Sequence, residues 1–413
     1  MMISKIKKFI KSNNLLFSFL KQELIYIRYL MSIVKKGKYD KLPQYKFKEV
    51  VIISDKGKHC YFGYYDKSPL NEESKFALFL KVPVSAKEGD VGEVFIRNMQ
   101  SGNQETIGRT RTWNWQQGAM EQWINNETIS FNTYDNNSNK YQTIRLNLNT
   151  KAEIRTPRAA YAYNKDFTKY LSLNFYRLDK FAKGYGYPYQ VDSMDEKEDG
   201  IWEVDVASDE SRLILTLAEV MAFEPKEYSQ CQHYINHVAY CPDERYIIFI
   251  HRWQEKGGEF VSRLLKYDLA EKKLMSLLDN GHVSHYCWKS PCELMIYATN
   301  EKIEKGYMVV NIKTGKNFLL DGLPAEDGHP TYSKDGKWVV TDTYPDNHRD
   351  QYLFLYQTDE KKLYLVDRLH SPFKYFNEHR CDLHPRWSKD GKYLVVDNTA
   401  LGVRTLKIYK VNI

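Results

Sequence analysis

The chain has 413 residues, 42% of them hydrophobic and 14% aromatic, with 32 Tyr. That is enough for a large core, and Tyr suits strands and sugar-facing surfaces because it joins an apolar face to a polar tip. The net charge of +7 is confined to one end: residues 1–45 hold nine Lys and Arg28 against Glu23 and Asp40, giving +8, so the other 368 residues carry about −1, which excludes a basic nucleic-acid surface on the body of the chain.

The six Cys form no CxxC pair and no framework spacing. Reduced thiols in a cytoplasmic protein are the expectation. Residues 1–45 read as a basic arm, and within it 5–36 place apolar and aromatic residues at near-helical spacing. Lys21, Glu23 and Arg28 interrupt every run, so none reaches the roughly 20 apolar residues of a spanning helix. Two readings stand: a basic amphipathic helix lying on an anionic face of the inner membrane, or a helix packed on the main domain or a partner.

From residue 46 to 413 the chain repeats itself. "GHPTYSKDGKWVVTDTY" (328–344) returns as "LHPRWSKDGKYLVVDNT" (383–399) and more loosely as "NHVAYCPDERYIIFIHR" (236–252); "SHYCWKSPCELMIYATN" (284–300) keeps the frame with an altered turn. Asp-Gly or Pro-Asp turns between short β-rich runs signal antiparallel hairpins. A period of roughly 40–50 residues built this way is a propeller blade. Three weaker units at 60–107, 113–155 and 158–217 bring the total to seven. The expected fold is all-β, a seven-bladed β-propeller with an N-terminal basic amphipathic helical arm. The last unit has only three strands before the chain ends, so "KEVVIIS" (48–54) is expected to close the ring and protect its edges.

Aligned on their turns, the last four units carry His237, His285, His329 and His384 three residues before an aromatic: Tyr240, Trp288, Tyr332 and Trp387. The earlier units offer Lys67, Met120 and, with one insertion, Tyr161. Inner strands line the channel of a propeller, so equivalent positions form a ring and the four His should converge. Neutral imidazole is a common metal ligand. His285, His329 and His384, with Cys381 and Asp382 just before the last of them, make a set that can hold Zn or Mn. The alternative is that some of these His bind substrate directly, His237 among them.

On "GYYDKSP" (63–69), "WNWQQGAMEQW" (113–123), "YAYNKDFTKYLSLNFYRL" (161–178), "GYGYP" (184–188), "DGHPTYSKDGKWVVTDTYPD" (327–346) and "RCDLHPRWSKDG" (380–391), the chain resembles the β-propeller polysaccharide lyases. The resemblance is above all to the ulvan-lyase type and more distantly to oligogalacturonate lyase. It implies cleavage of a uronic-acid glycan by β-elimination. A base removes the C5 proton, an acid protonates the leaving oxygen, and a cation neutralises the carboxylate. By this resemblance Tyr161 matches the catalytic Tyr and Arg177 the neutralising Arg, with His233 or Tyr234 completing the site. Gln117 stands where the family has a catalytic His, and an amide cannot exchange a proton at neutral pH. Tyr65, Trp115 and Tyr185 are expected to contact sugar rings.

Two functions follow: a lyase-like enzyme acting on a polysaccharide or oligosaccharide, or a non-catalytic glycan-binding propeller in surface-polysaccharide assembly. The second takes weight from the basic arm and from the lack of an evident leader sequence.

Overall fold

The structure is a computed structural model and describes residues 23–31, 37–47, 49–224, 231–254, 260–300, 302 and 304–411. Its strands form seven four-stranded antiparallel sheets, the seven blades of a β-propeller. Numbered along the chain, β1 is Val50–Ile53 and the first sheet is β2–β5, from Lys58 to Thr110. The next five run 122–157, 162–216, 232–278, 283–319 and 331–370. The seventh joins β26 (Arg386–Trp387), β27 (Tyr393–Asn398) and β28 (Thr405–Lys410) to β1.

β1 pairs with β28 from Val50↔Tyr409 to Ile53↔Leu406. The two ends of the propeller therefore share one sheet, which leaves no open ladder between first and last blade. Residues 43–45 lie along the outer strand of the sixth sheet, where Tyr45 N donates to Leu365 O at 2.9 Å and Leu365 N to Pro43 O at 2.9 Å.

The recurring turn explains the recurring sequence. In "SKDG", Ser333 Oγ donates to Asp335 Oδ1 at 2.6 Å and accepts from Trp338 N at 3.0 Å, while Gly336 adopts φ 72°. Ser388, Asp390 and Gly391 repeat this, with distances of 2.6 and 2.9 Å and φ 74°. Only Gly takes that left-handed conformation without steric cost. In "CPDE" the Cys241 thiol replaces the Ser hydroxyl, accepting from Tyr246 N at 3.1 Å, and Glu244 takes the strained place at φ 57°.

Sheets packed on both faces need strands that are buried throughout. Tyr246–Gln254, "YIIFIHRWQ", is such a strand, and its Ile248 and Ile250 join Leu294 and Ile296 of the neighbouring sheet in one core cluster. The third sheet carries an insertion between Lys169–Ser172 and Gly200–Asp205. It opens with a short helix, Phe175–Phe181, N-capped by Asn174, and continues into "GYGYP", which reaches over the axis.

At the N-terminus, residues 23–31 are helical. Tyr26 and Tyr29 of this helix pack on Phe373 at 5.4 and 5.0 Å between ring centroids. The rest of the expected arm, 5–22 and 32–36, lies outside the described residues. No described helix is long and apolar enough to cross a membrane.

Candidate metal centre and active site

The four His of the repeat register converge. Ring centroids are 5.4 Å apart for His237–His285, 4.0 Å for His285–His329 and 4.3 Å for His329–His384. All four are buried, none more than 5% exposed. His237 and His384 adopt φ of 51° and 46°, a conformation rare outside Gly that functional sites retain. Met120, their register equivalent in the second sheet, does the same at 55°. In the first sheet Tyr64, rather than Lys67, reaches the centre. Its ring stacks on His237 at 5.4 Å and meets His384 edge-on at 4.9 Å, and its hydroxyl is 2.9 Å from His237 Nδ1.

Each imidazole is held from behind. Asp342 Oδ1 lies 2.9 Å from His329 Nδ1 and accepts from His329 N at 2.7 Å, while its Oδ2 accepts from His384 N at 3.2 Å. His384 Nδ1 donates to Gly63 O at 2.8 Å. His285 Nδ1 is 3.0 Å from Ser284 Oγ and 3.4 Å from Asp327 Oδ1. A Cβ on Gly63 would stand 2.5 Å from the backbone of Gln117, so only Gly lets the two segments cross here.

The far nitrogens of two of these rings, Nε2 of His329 and of His384, are buried without a hydrogen-bond partner. Such orphaned atoms are rare and call for a ligand. One ligand atom from each of His329, His384 and Asp382 lies within 4.8 Å of the others. An imidazole whose Nδ1 is fixed by carboxylate or carbonyl and whose Nε2 is free is the usual form of a metal-bound His. The three residues therefore fit a divalent cation that takes nitrogen and oxygen donors.

The electrostatics favour the neutral form at three of the four rings. Burial, reinforced by its neighbours His285 and His329, holds His237 well below the ordinary imidazole range. Burial and His329 do the same to His384. Burial and His329 likewise lower His285 to about 4, against the pull of Asp327. Neutral imidazoles are the ligating form. Burial also acts on His329, but Asp342 outweighs it and raises that ring. For Asp382 burial is outweighed by Arg380, and the carboxyl stays ionised below its usual range.

Arg380 grips Asp382 through two hydrogen bonds of 2.6 and 2.7 Å and lies 4.7 Å over the Tyr344 ring. Tyr344 in turn is 5.8 Å from His329. Tyr185, from the insertion, stands edge-on to His237 at 6.3 Å and to Tyr64 at 6.2 Å. Arg252 donates to Asn236 at 3.2 Å and adds its charge to the fields at His237 and Tyr185. Two Arg and two Tyr thus surround the His ring on one side. Asp327 and Tyr344 also line a cavity of about 800 Å³, together with Arg28 and Met31 of the N-terminal helix. On the turn side of the Tyr64–Tyr65 pair, a second cavity of about 490 Å³ is lined by Tyr161, His237, Trp288 and Tyr332.

The expected site residues divide. Gln117 Nε2 donates to Tyr161 Oη at 3.0 Å, and the same oxygen accepts from His237 N at 3.0 Å, so these three meet. Tyr65 lies beside the ring, its hydroxyl donating to Tyr286 O at 2.8 Å. His285 packs on His329 but falls outside the three-residue metal group.

Four expectations are corrected. Arg177 is locked in a buried ion pair with Asp199 and donates to Met194 O at 2.6 Å and His233 O at 3.3 Å, so it fastens the inserted helix and leaves no fork for a substrate carboxylate. His233 stacks on His251 at 5.1 Å and on Trp253 at 6.1 Å, with Nδ1 3.0 Å from His251 Nε2; it is strand packing. Trp115 is inter-blade packing, its carbonyl accepting from Arg404 at 2.9 Å and that guanidinium 4.9 Å over its ring. Cys381 lies outside the metal group, its thiol turned to the backbone carbonyl of Asp382 at 3.8 Å. Burial pushes its thiol up to about 12.

No family model matches the sequence, and no curated protein does. Solved structures do. The chain is similar to an oligogalacturonate lyase in complex with manganese, at 15% identity and a TM-score of 0.67 over 90% of this chain and 96% of that one. It is similar to oligogalacturonate lyase from Vibrio parahaemolyticus at 13% identity and a TM-score of 0.63, over 89% and 96%. At such identity the likeness establishes the propeller fold.

Sequence reasoning missed Asp342, Arg252, Tyr344 and Arg380. Asp342 and Tyr344 lie in the repeat at 328–344 and Arg252 ends the one at 236–252, while Arg380 stands in the loop before the last repeat. Two of them had a signal: Asp342 recurs in register as Asp397, and Arg380 stands two residues before Asp382.

The loop that carries Gln117 contains a pH-sensitive group. Glu121 is buried, its Oε2 accepting from Ala119 N at 2.7 Å and its Oε1 unpartnered. Burial pushes its carboxyl from 4.5 up to about 8, against the backbone hydrogen bonds. A raised folded-state value means that its contribution to stability is full below about 4.5 and lost as pH rises through about 8. Glu121→Gln should therefore gain on the wild type by about 2–3 kcal/mol between about pH 6 and about pH 9, read by urea unfolding. Equal slopes would show that Glu121 ionises in the folded chain as it does in water.

Proposed function

We propose that the chain is a metal-dependent, lyase-like enzyme that cleaves a uronic-acid glycan by β-elimination. The observation that carries this is a pair of orphaned His Nε2 atoms on two residues that group with Asp382 as ligands, beside two Arg and two Tyr, in a fold shared with a manganese-bound oligogalacturonate lyase. The ulvan-lyase type of substrate belongs to the same proposal. So does the choice of manganese over zinc, which the carboxylate in the donor set favours.

His329, His384 and Asp382 would hold the cation, which when bound would supply a fixed positive charge near the substrate carboxylate. Arg252 binds a carboxylate oxygen, withdrawing charge as the enolate-like state forms. His285, neutral and oriented by Asp327 on Nδ1, takes the C5 proton on Nε2. The electron pair left behind forms the C4–C5 double bond and the C4–O bond breaks. Tyr185 donates its phenolic proton to the departing oxygen. Asp327 stabilises the imidazolium that results.

The test is incubation of the manganese-loaded protein with polygalacturonate, ulvan, alginate and glucuronan, following the ultraviolet absorbance of the unsaturated uronate. A rise with at least one polymer is expected, falling about 100-fold or more in Arg252→Ala. No rise with any of them would remove the enzyme reading.

One observation favours a second reading, a glycan-binding propeller in surface-polysaccharide assembly. Gln117 occupies the place of a proton carrier and spends its amide N–H₂ on Tyr161. Glycan binding without turnover is the outcome that reading expects.

A further inference from the structure

Among the described residues, thirteen large hydrophobic side chains are exposed, and five of them lie in the helix 23–31. Leu24 is 47% exposed, Ile27 51%, Leu30 50% and Met31 66%. Leu24, Ile27 and Met31 follow i, i+3, i+7 spacing and so share one face, with Leu30 beside it. The opposite side is occupied, since Tyr26 and Tyr29 pack on Phe373. A helix resting on a water-soluble domain turns its polar face outward; this one turns out an apolar stripe.

The charge of the segment identifies what covers that stripe. The segment that bears it, residues 1–45, carries +8, while the rest of the chain carries about −1. An apolar face flanked by Lys is complementary to a surface that is anionic outside and hydrocarbon within. Both features belong to one short segment, and the propeller body repeats neither of them.

We propose that helix 23–31 docks the protein on an anionic lipid surface, with Leu24, Ile27, Leu30 and Met31 entering the acyl boundary and the net positive charge of residues 1–45 drawing it to that surface. The helix is pinned to the propeller through Phe373, so the bound protein has a fixed orientation. Arg28 and Met31 border the cavity that also holds Asp327 and Tyr344. On the reading of the preceding subsection, docking therefore holds the cavity beside Asp327 and Tyr344 against the membrane, where a lipid-attached glycan would be presented. The docking itself does not depend on that reading.

The full chain is sedimented with vesicles of phosphatidylcholine alone and of phosphatidylcholine with phosphatidylglycerol, at low and high salt. Binding to the anionic vesicles is expected, weakened by salt because headgroup attraction is screened. The triple variant Leu24→Ser, Ile27→Ser, Leu30→Ser should bind at least about tenfold more weakly while keeping the wild-type unfolding transition, since these three exposed side chains, unlike Met31, do not line the cavity shared with the propeller. Absence of binding to anionic vesicles, or binding unchanged in the triple variant, would overturn the proposal. So would a triple variant that turns a dimer into a monomer or lowers the unfolding transition without lipid, because the stripe would then be covered by a second copy or by this chain. The assay reads binding only, so its failure leaves the β-elimination test intact.

Discussion

Replacing His329 by Ala should abolish manganese or zinc binding, with no heat above dilution when metal is titrated into the variant. The wild-type ring offers Nε2 as a buried, unpartnered atom close to its counterparts on His384 and Asp382. Removing it leaves one imidazole and a carboxylate already held by Arg380, too few donors for a four- to six-coordinate cation. The residue behind the ring should matter less but measurably. Asp342 fixes the Nδ1 side of His329 and also accepts from the backbone of His384. Asp342→Asn should weaken metal binding about 10–100-fold, the usual cost of a lost outer partner. Undiminished affinity in His329→Ala would place the cation elsewhere.

The second large effect concerns the join between the first and last blades. Asp397→Ala is expected to destabilise the protein by about 3–5 kcal/mol, measured by urea unfolding. Asp397 and Arg386 are each about 1% exposed, and they meet at 3.1 Å. Asp397 also accepts from Phe62 N at 3.1 Å and Gly63 N at 2.9 Å. Without the carboxylate a guanidinium stays buried with no counter-charge, and two backbone N–H groups lose their acceptors. This clamp joins the first sheet to the seventh on the axis side, as β1 does at the outer edge. It also sets the carbonyl of Gly63 that holds His384, so metal affinity should fall in the same variant. A cost under about 1 kcal/mol would mean that the pair is solvated and the clamp idle.

The fold was legible because propeller turns are written locally. "SKDG" and "CPDE" specify a left-handed residue and side-chain hydrogen bonds within five positions, so each turn can be read without its neighbours. The early units were fainter because their turns use other residues: Ser74 and Phe167 adopt φ 54° and 55° where later blades have Gly. The His ring was legible for a related reason, since register alone puts four inner-strand positions at one axis.

Partnership between distant residues was not legible. Arg177 looked available because nothing in its surroundings announced Asp199, 22 residues away across an insertion that folds into a helix. Trp115 looked like a sugar platform until Arg404, from the other end of the propeller, was seen against it. Cys381 and Asp382 looked equivalent as ligands, yet only Asp382 comes within reach of His329 and His384. Asp342 recurs as Asp397 in the repeat register, but which imidazoles it faces, like the neighbours of Arg252, depends on how the blades are placed.

The account rests on a divalent cation held at the propeller axis, and anomalous diffraction at the manganese edge from crystals grown with manganese tests it most directly. The predicted result is one strong peak bonded to Nε2 of His329, Nε2 of His384 and an oxygen of Asp382. A map with no peak among these three side chains would contradict it.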